Sequence, residues 1–299
     1  MTKIGIVGLG SMGFGMASSL VQAGLETWGH DVNPDAVTRF RAQGGQPGTL
    51  VDALASLDIL VVVVLNAAQT RTVLCGPDGL MARMRPGAVI ISCATVSPAF
   101  ARDMEAEAEQ QGLLYLDAPI SGGTVKAADG QLTIMASGRP AAFDAARPAL
   151  DAMAGQVFTL GDHAGPGSAM KSVNQMLAGI HIAAMGEALT FGMTQGISPE
   201  TFLEVISRSA GTSWMLESRA PRVVAGDYEA RSSVEIWPKD LGIALDIARD
   251  ARFSAPLTAA ALQQFLAASG MGHGAEDDAA VAKVYARNAG LTLPGKDTP

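Results

Sequence analysis

Lys171 and Asn174 are the pair in this 299-residue chain whose types and spacing could move a proton. There are six lysines in the sequence, and this one stands in an otherwise apolar, small-residue stretch that reads as one helix running to about Gly196. Residues at i and i+3 of a helix project from one face. The turn Gly165-Pro166-Gly167 followed by Ser168 predicts an N-cap at Ser168, which places Lys171 one turn into the helix. A lysine among apolar neighbours loses solvation for its charged form and is suited to proton transfer. The same lysine could instead snorkel its ammonium to the surface, and spacing alone leaves both readings open. His181, seven positions after Asn174, falls near the same face two turns on. It could bond a distal hydroxyl of a ligand or be satisfied within the core.

A second chemical signal opens the chain. The run Gly8-Leu9-Gly10-Ser11-Met12-Gly13 follows an apolar strand, Lys3 to Val7, and precedes a helix, Met12 to Gln22. Glycines permit a tight turn and close backbone approach, and a helix N-terminus offers unpaired N–H groups to a pyrophosphate. Gly8, Gly10, Ser11, Met12 and Gly13 are therefore candidates to hold a dinucleotide. The next strand, Glu26 to His30, ends at Asp31, eighteen residues after Gly13. A carboxylate there accepts from both ribose hydroxyls and repels a 2′-phosphate. Asn33-Pro34 follows with no arginine beside the acid, so the expected cofactor is NAD, with Asn33 in the same set. A glycine motif alone could be a structural turn; strand, motif, helix and acid together point to the cofactor.

These residues need a scaffold, and the remaining pattern supplies one. Further strands are expected at Asp58 to Leu65, Ala88 to Ser92, Leu113 to Leu116, Gln131 to Ala136 and Val157 to Leu160. Helices are expected at Ser97 to Gln110 and Ala141 to Met153. Alternation of this kind is that of a mostly parallel, Rossmann-type α/β sheet. Ligands bind beyond the carboxyl ends of such strands, so Leu65, Asn66 and Thr95 are candidates for the nicotinamide side, each also readable as a turn or cap. After Leu116 comes Asp117-Ala118-Pro119-Ile120-Ser121-Gly122-Gly123. Its serine and glycines expose backbone N–H groups that could hold a carboxylate, or form a flexible loop.

From Ser168 onward the period is helical only, with further helices expected at Pro199 to Arg208, Lys239 to Asp250, Pro256 to Ala268 and Glu276 to Asn288. The expected domains are a dinucleotide-binding unit, 1–163, and an all-α unit, 164–299, joined by the long helix. Met170, Val173, Leu177, Ile180 and Ala184 form an apolar stripe on that helix, and alanines and glycines fill its other faces. A helix apolar nearly all round is expected to be buried, here between the domains and a second subunit. A homodimer or homotetramer follows. The tail after Leu293 reads as frayed.

Composition narrows the classes further. Hydrophobic residues make up 48% and charged residues 17%, with a net charge of -8, so neither nucleic acid nor an anionic membrane is an expected partner. Cys75 and Cys93 lie outside any close cysteine or histidine cluster, so no metal site is expected. The start of the chain shows no signal-peptide pattern, and the longest apolar run, Ile59 to Leu65, is too short to span a bilayer. A soluble cytoplasmic protein is the default expectation.

With these motifs in place, the chain resembles the β-hydroxyacid dehydrogenase family, which includes 3-hydroxyisobutyrate dehydrogenase, from Lys3 to about Pro294. The cofactor motif matches Gly8 to Gly13, the substrate motif Asp117 to Gly123, the catalytic motif Gly165 to Asn174, and the last motif Lys239-Asp240-Leu241. Within the family it is most similar to the L-threonate-oxidising subgroup, on Asn66 to Gln69, Leu177 to Ala184, Ser213-Trp214-Met215 and Glu276-Asp277-Asp278. The resemblance implies NAD-linked oxidation of the 2-hydroxyl of L-threonate to 2-dehydro-L-erythronate. It implies that Lys171 is catalytic and that Asn174 orients it and the substrate. By the same resemblance Ser121, Gly122 and Gly123 hold the carboxylate, Thr95 contacts cofactor, and Lys239 reaches cofactor or substrate. Many relatives carry two asparagines after the lysine, whereas here Asn174 is followed by Gln175. Alternatives are 3-hydroxyisobutyrate dehydrogenase, tartronate semialdehyde reductase and, from another class, a non-catalytic dinucleotide sensor.

Overall fold

Apolar runs too short for helices and flanked by turns build the first half of the chain. In the computed structural model, which describes residues 2–295, these runs form β1 (Lys3–Val7), β2 (Glu26–His30), β3 (Ile59–Val62), β4 (Val89–Ser92) and β5 (Leu114–Asp117). They make one parallel sheet in the order β2-β1-β3-β4-β5. Successive side chains of a strand point to opposite faces, and here Ile59 and Val61 enter one apolar cluster while Leu60 and Val62 enter another. Both faces are thus covered, as an all-parallel sheet requires. The expected Rossmann-type fold followed by helices is what forms.

The helices of this half are α1 (Gly13–Gln22), α2 (Pro34–Ala42), α3 (Leu50–Ala53), α4 (Ala67–Cys75), α5 (Pro98–Gln110), α6 (Gly123–Ala128) and α7 (Pro140–Met153). A second sheet holds β6 (Ile120–Ser121), β7 (Leu132–Ala136) and β8 (Ala154–Thr159), with β6 antiparallel to β7 and β8 parallel to it. Two expectations shift. The apolar run from Asp58 stops pairing at Val62, so Leu65 lies past the strand end. The last strand begins at Ala154 instead of Val157, because α7 ends at Met153 and the chain pairs at once with Leu132.

The chain divides into two compact units, one through Lys171 and one from Ser172. The second is helical: the rest of α8 (Pro166–Thr194), then α9 (Pro199–Ile206), α10 (Trp214–Val224), α11 (Ile236–Asp250), α12 (Pro256–Ala268) and α13 (Ala282–Asn288). Sequence periodicity missed α10 and placed the last helix too early. Asp277 instead caps a short 3₁₀ turn, Asp278–Val281, which precedes α13. The expectation for the tail past Leu293 falls mostly on residues 296–299, outside those described.

The expected stripe of α8 is not the buried one. Ala178, Ile182, Met185 and Leu189 face the helical core, with Trp237, Leu241 and Phe265. Val173 and Leu177 stand about half exposed, and Met170 nearly so. The inward face combines Ile182, Met185 and Leu189 with glycine, and a Cβ on Gly179 would lie 2.8 Å from a Leu241 methyl, so close packing is built on that side. By length and mean hydropathy α8 could cross a membrane, yet half of its most apolar window is buried within the fold.

Candidate functional site

The glycine motif is set by backbone crowding. Gly8 has φ of 95°, and a Cβ on it would lie 2.1 Å from the Val63 carbonyl oxygen; a Cβ on Gly13 would lie 1.9 Å from the Gly8 oxygen. Gly10 by contrast faces open space. Helix α1 begins at Gly13 with no side chain capping it, so Ser11, Met12 and Gly13 stand at a helix end suited to an anion. Asp31, just past β2, accepts from the Leu9 N–H at 2.6 Å through Oδ2 and from the Asn33 N–H at 2.8 Å through Oδ1. Each carboxylate oxygen retains a lone pair for a further donor. Turn, helix end and acid converge within this unit, and they fit a dinucleotide: the close approach is built and the acid is aimed by the motif's own backbone.

Three candidates have local duties as well. The Asn33 side chain caps α2 by accepting from the Asp35 N–H at 3.0 Å. Asn66 caps α4 by accepting from the Gln69 N–H at 2.9 Å. Leu65, 62% exposed, donates its N–H to Gln69 Oε1 at 2.9 Å. Thr95 is half-buried three residues beyond β4.

The Ser-Gly-Gly segment is not a free loop. Ser121 is paired in β6 opposite Thr133, and Gly122 and Gly123, with φ of 138° and 79°, turn the chain into α6. Ile120, immediately before, accepts from Lys171 Nζ at 2.8 Å. Lys171 is only 8% exposed. The snorkelling reading therefore fails: the ammonium end is turned inward, beside the strand-to-helix junction.

What holds Lys171 there was hidden from sequence reasoning. Helix α8 starts at Pro166, two residues before the expected cap, and Ser168 is not the cap. Asp117 serves in its place, from the end of β5. Its Oδ2 accepts from the N–H groups of Gly165 at 3.0 Å and Ser168 at 2.9 Å, and its Oδ1 from the Ser168 hydroxyl at 2.7 Å. Ser137 adds a hydroxyl to Oδ2 at 3.3 Å and accepts from the Gly167 N–H at 2.9 Å. Burial pushes the Asp117 carboxyl above its ordinary range, against the pull of these donors. Burial likewise pushes the Cys93 thiol up to about 12.

In the helical unit, Asn174 donates from Nδ2 to Gln175 Oε1 at 2.9 Å. Gln175 donates from Nε2 to Asp240 Oδ2 at 2.5 Å, and Lys239 donates to Asp240 Oδ1 at 2.5 Å. Lys239 thus sits in the first turn of α11, which starts three residues earlier than the sequence suggested. His181 is half-buried further along α8. Asp277 and Asp278 are framework residues: Asp278 takes Arg219 Nε at 2.9 Å and Trp237 Nε1 at 3.1 Å, and Asp277 takes Arg222 at 2.6 Å.

Known proteins align with both units. A family model described as the NAD binding domain of 6-phosphogluconate dehydrogenase matches residues 3–161. Another, described as NAD-binding of NADP-dependent 3-hydroxyisobutyrate dehydrogenase, matches residues 165–285. An L-threonate dehydrogenase of Cupriavidus necator is 47% identical over 98% of both chains. One from Escherichia coli K12 is 44% identical over 98% of this chain and 96% of its own. A crystal structure described as 3-hydroxyisobutyrate dehydrogenase, from Salmonella typhimurium, is 45% identical, with a TM-score of 0.91 over 95% of this chain and 100% of that one.

Proposed function

Because the chain belongs to the β-hydroxyacid dehydrogenase family, we propose that it oxidises the 2-hydroxyl of L-threonate to 2-dehydro-L-erythronate, with NAD as acceptor and Lys171 as the base. Its class is oxidoreductase, acting on a CH–OH group with a nicotinamide dinucleotide. The observation that carries the lysine's role is its burial with Nζ on the Ile120 carbonyl, next to Ser121. An amine fixed there adjoins backbone N–H groups at Ser121 to Gly123 that suit a carboxylate.

When bound, NAD supplies the hydride acceptor. Lys171, as the neutral amine, takes the hydroxyl proton while the C2 hydrogen departs with its electron pair, leaving a C2 carbonyl. In reverse its ammonium protonates the ketone oxygen. Ser121, Gly122 and Gly123 bind the substrate carboxylate, Asn174 orients the reacting hydroxyl, and His181 meets a hydroxyl further along the acid. Gly8, Gly10, Ser11, Met12 and Gly13 seat the pyrophosphate, Asp31 and Asn33 the adenosine ribose, and Leu65, Asn66 and Thr95 the nicotinamide side. Lys239 contributes from α11. Asp31 favours NAD over NADP by repelling a 2′-phosphate.

The name of the Salmonella structure favours a second reading, oxidation of 3-hydroxyisobutyrate with the same lysine. A panel of four-carbon sugar acids and C3 to C4 hydroxy acids, each with NAD and NADP, separates them by the appearance of reduced nicotinamide. L-Threonate with NAD is expected to give the largest kcat/KM; 3-hydroxyisobutyrate ahead of it would reverse the order. Turnover of no acid despite NAD binding would instead support a sensor. The enzyme is proposed to be a cytoplasmic homodimer or homotetramer, supported by the outward stripe of Val173 and Leu177, and light scattering measures its size.

A further inference from the structure

Gln175 stands where many relatives carry a second asparagine, and its extra methylene is put to use. Its side chain is 7% exposed and bridges Asn174 to Asp240, which is 2% exposed. The bridge has a direction. A carboxylate offers acceptors only, so the Gln175 atom facing Asp240 must be the donor, Nε2. The other end of the same amide, Oε1, then faces Asn174 and can only accept. That compels Asn174 to turn Nδ2 toward Gln175 and to present Oδ1 elsewhere. The pairing with Lys239 keeps the second Asp240 oxygen occupied and the carboxylate in place. Amide orientations are set by such networks and by nothing in the shape of the side chain.

We propose that Asp240, acting through Gln175, is a positioning residue that makes Asn174 present an acceptor oxygen to the reacting centre. The inference rests on the reading that Asn174 orients the substrate beside Lys171. With Oδ1 presented, Asn174 accepts from a substrate hydroxyl and disfavours a bare carbonyl oxygen at that point. A flipped amide would offer two N–H groups there and favour a carbonyl oxygen over a hydroxyl hydrogen. The chain Lys239–Asp240–Gln175–Asn174 thus selects hydroxylated acids by polarity.

The polarity can be broken and restored. In Gln175→Glu the native donor to Asp240, at 2.5 Å, is replaced by an acceptor, so the two carboxylates separate unless they share a proton, and the relay holds only at low pH. In Asp240→Asn the amide oxygen goes to Lys239 and its NH2 faces Gln175, so Gln175 and then Asn174 are turned the opposite way. In the double variant, the amide introduced at position 240 can donate to the carboxylate introduced at position 175 and still accept from Lys239. That carboxylate in turn still accepts from Asn174, and the native direction returns. With NAD and L-threonate, or whichever acid of the panel turns over fastest, kcat should fall in each single variant by up to about 100-fold, a scale set by misplacement of a reacting group. Gln175→Glu should regain activity as pH falls. The double variant should recover to near wild type across the pH range.

Thermal midpoints and NAD affinity are measured beside these rates. A purely structural bridge would lower the midpoint and leave kcat per folded enzyme intact, which overturns the proposal. So does a double variant no better than the poorer single one. Lys171→Ala is run in parallel. If it loses turnover while the single variants keep theirs, only this inference falls; if Lys171→Ala is fully active, the catalytic reading falls and takes the inference with it.

Discussion

Removing Asp117 should release the helix that carries Lys171, and the cost can be worked from the contacts. Both backbone donors, Gly165 N–H and Ser168 N–H, go to one oxygen, Oδ2. In Asp117→Ala they are left buried with no acceptor, at about 1–3 kcal/mol each. Together with the lost charge at a helix N-terminus, worth roughly 0.3–1 kcal/mol, the change should cost about 2–7 kcal/mol. That is a large share of the roughly 5–15 kcal/mol that holds a typical domain together. Asp117→Asn is different, because its Oδ1 can take the Oδ2 position and keep both bonds. Its Nδ2 then faces the Ser168 hydroxyl, which reverses to accept. The cost should be about 1 kcal/mol. Denaturant unfolding with linear extrapolation reads both. The pH dependence has a definite sign. Burial raises the folded-state carboxyl above 3.8, so the native form binds its proton more tightly than the unfolded chain. Wild-type stability from this group is full below 3.8 and declines as pH rises through the raised value. Asparagine lacks that decline, so its deficit should shrink with rising pH. If Asp117→Ala costs less than about 1 kcal/mol, or asparagine costs as much as alanine, the capping argument based on buried donors is refuted.

Other perturbations follow from the same contacts. Arg219→Met strands the fully buried Asp278 carboxylate and should destabilise the helical unit by about 3–5 kcal/mol in the same unfolding assay. Asp31→Ser should raise kcat/KM for NADP relative to NAD by about 10-fold or more, since like-charge repulsion at such a site is worth at least about 1.4 kcal/mol; an unchanged ratio in a steady-state comparison counts against Asp31 as the discriminator. Burial pushes both thiols, Cys75 and Cys93, up to about 12. Iodoacetamide at neutral pH should therefore label neither in the native protein and both after denaturation, as mass spectrometry would show.

The sheet was legible because its strands are short apolar runs covered on both faces, as Ile59 to Val62 are, and length, flanking turns and β-branched content decide such runs for strand. The cofactor motif was legible because backbone crowding at Gly8 and Gly13 admits nothing else. The start of α8 was not, since its cap is Asp117, some fifty positions upstream, and a local rule sees only Ser168. The bond from Gln175 to Asp240 was hidden for the same reason, its partner lying 65 residues away. The stripe of α8 misled because the helix carries bulky apolar residues on more than one face, and packing against Trp237, Leu241 and Phe265 selected the face of Ile182, Met185 and Leu189. Pro221 inside α10 masked a helix that Ser213 nevertheless caps.

Everything proposed about the chemistry converges on one amine. Lys171→Ala should retain NAD affinity, measured by calorimetry, and lose about 10²- to 10⁴-fold in kcat for L-threonate, the range typical of a positioned acid–base group. Exogenous small amines should restore part of the rate, with a dependence on amine basicity. Wild-type kcat in the alanine variant, at unchanged KM, would contradict the account.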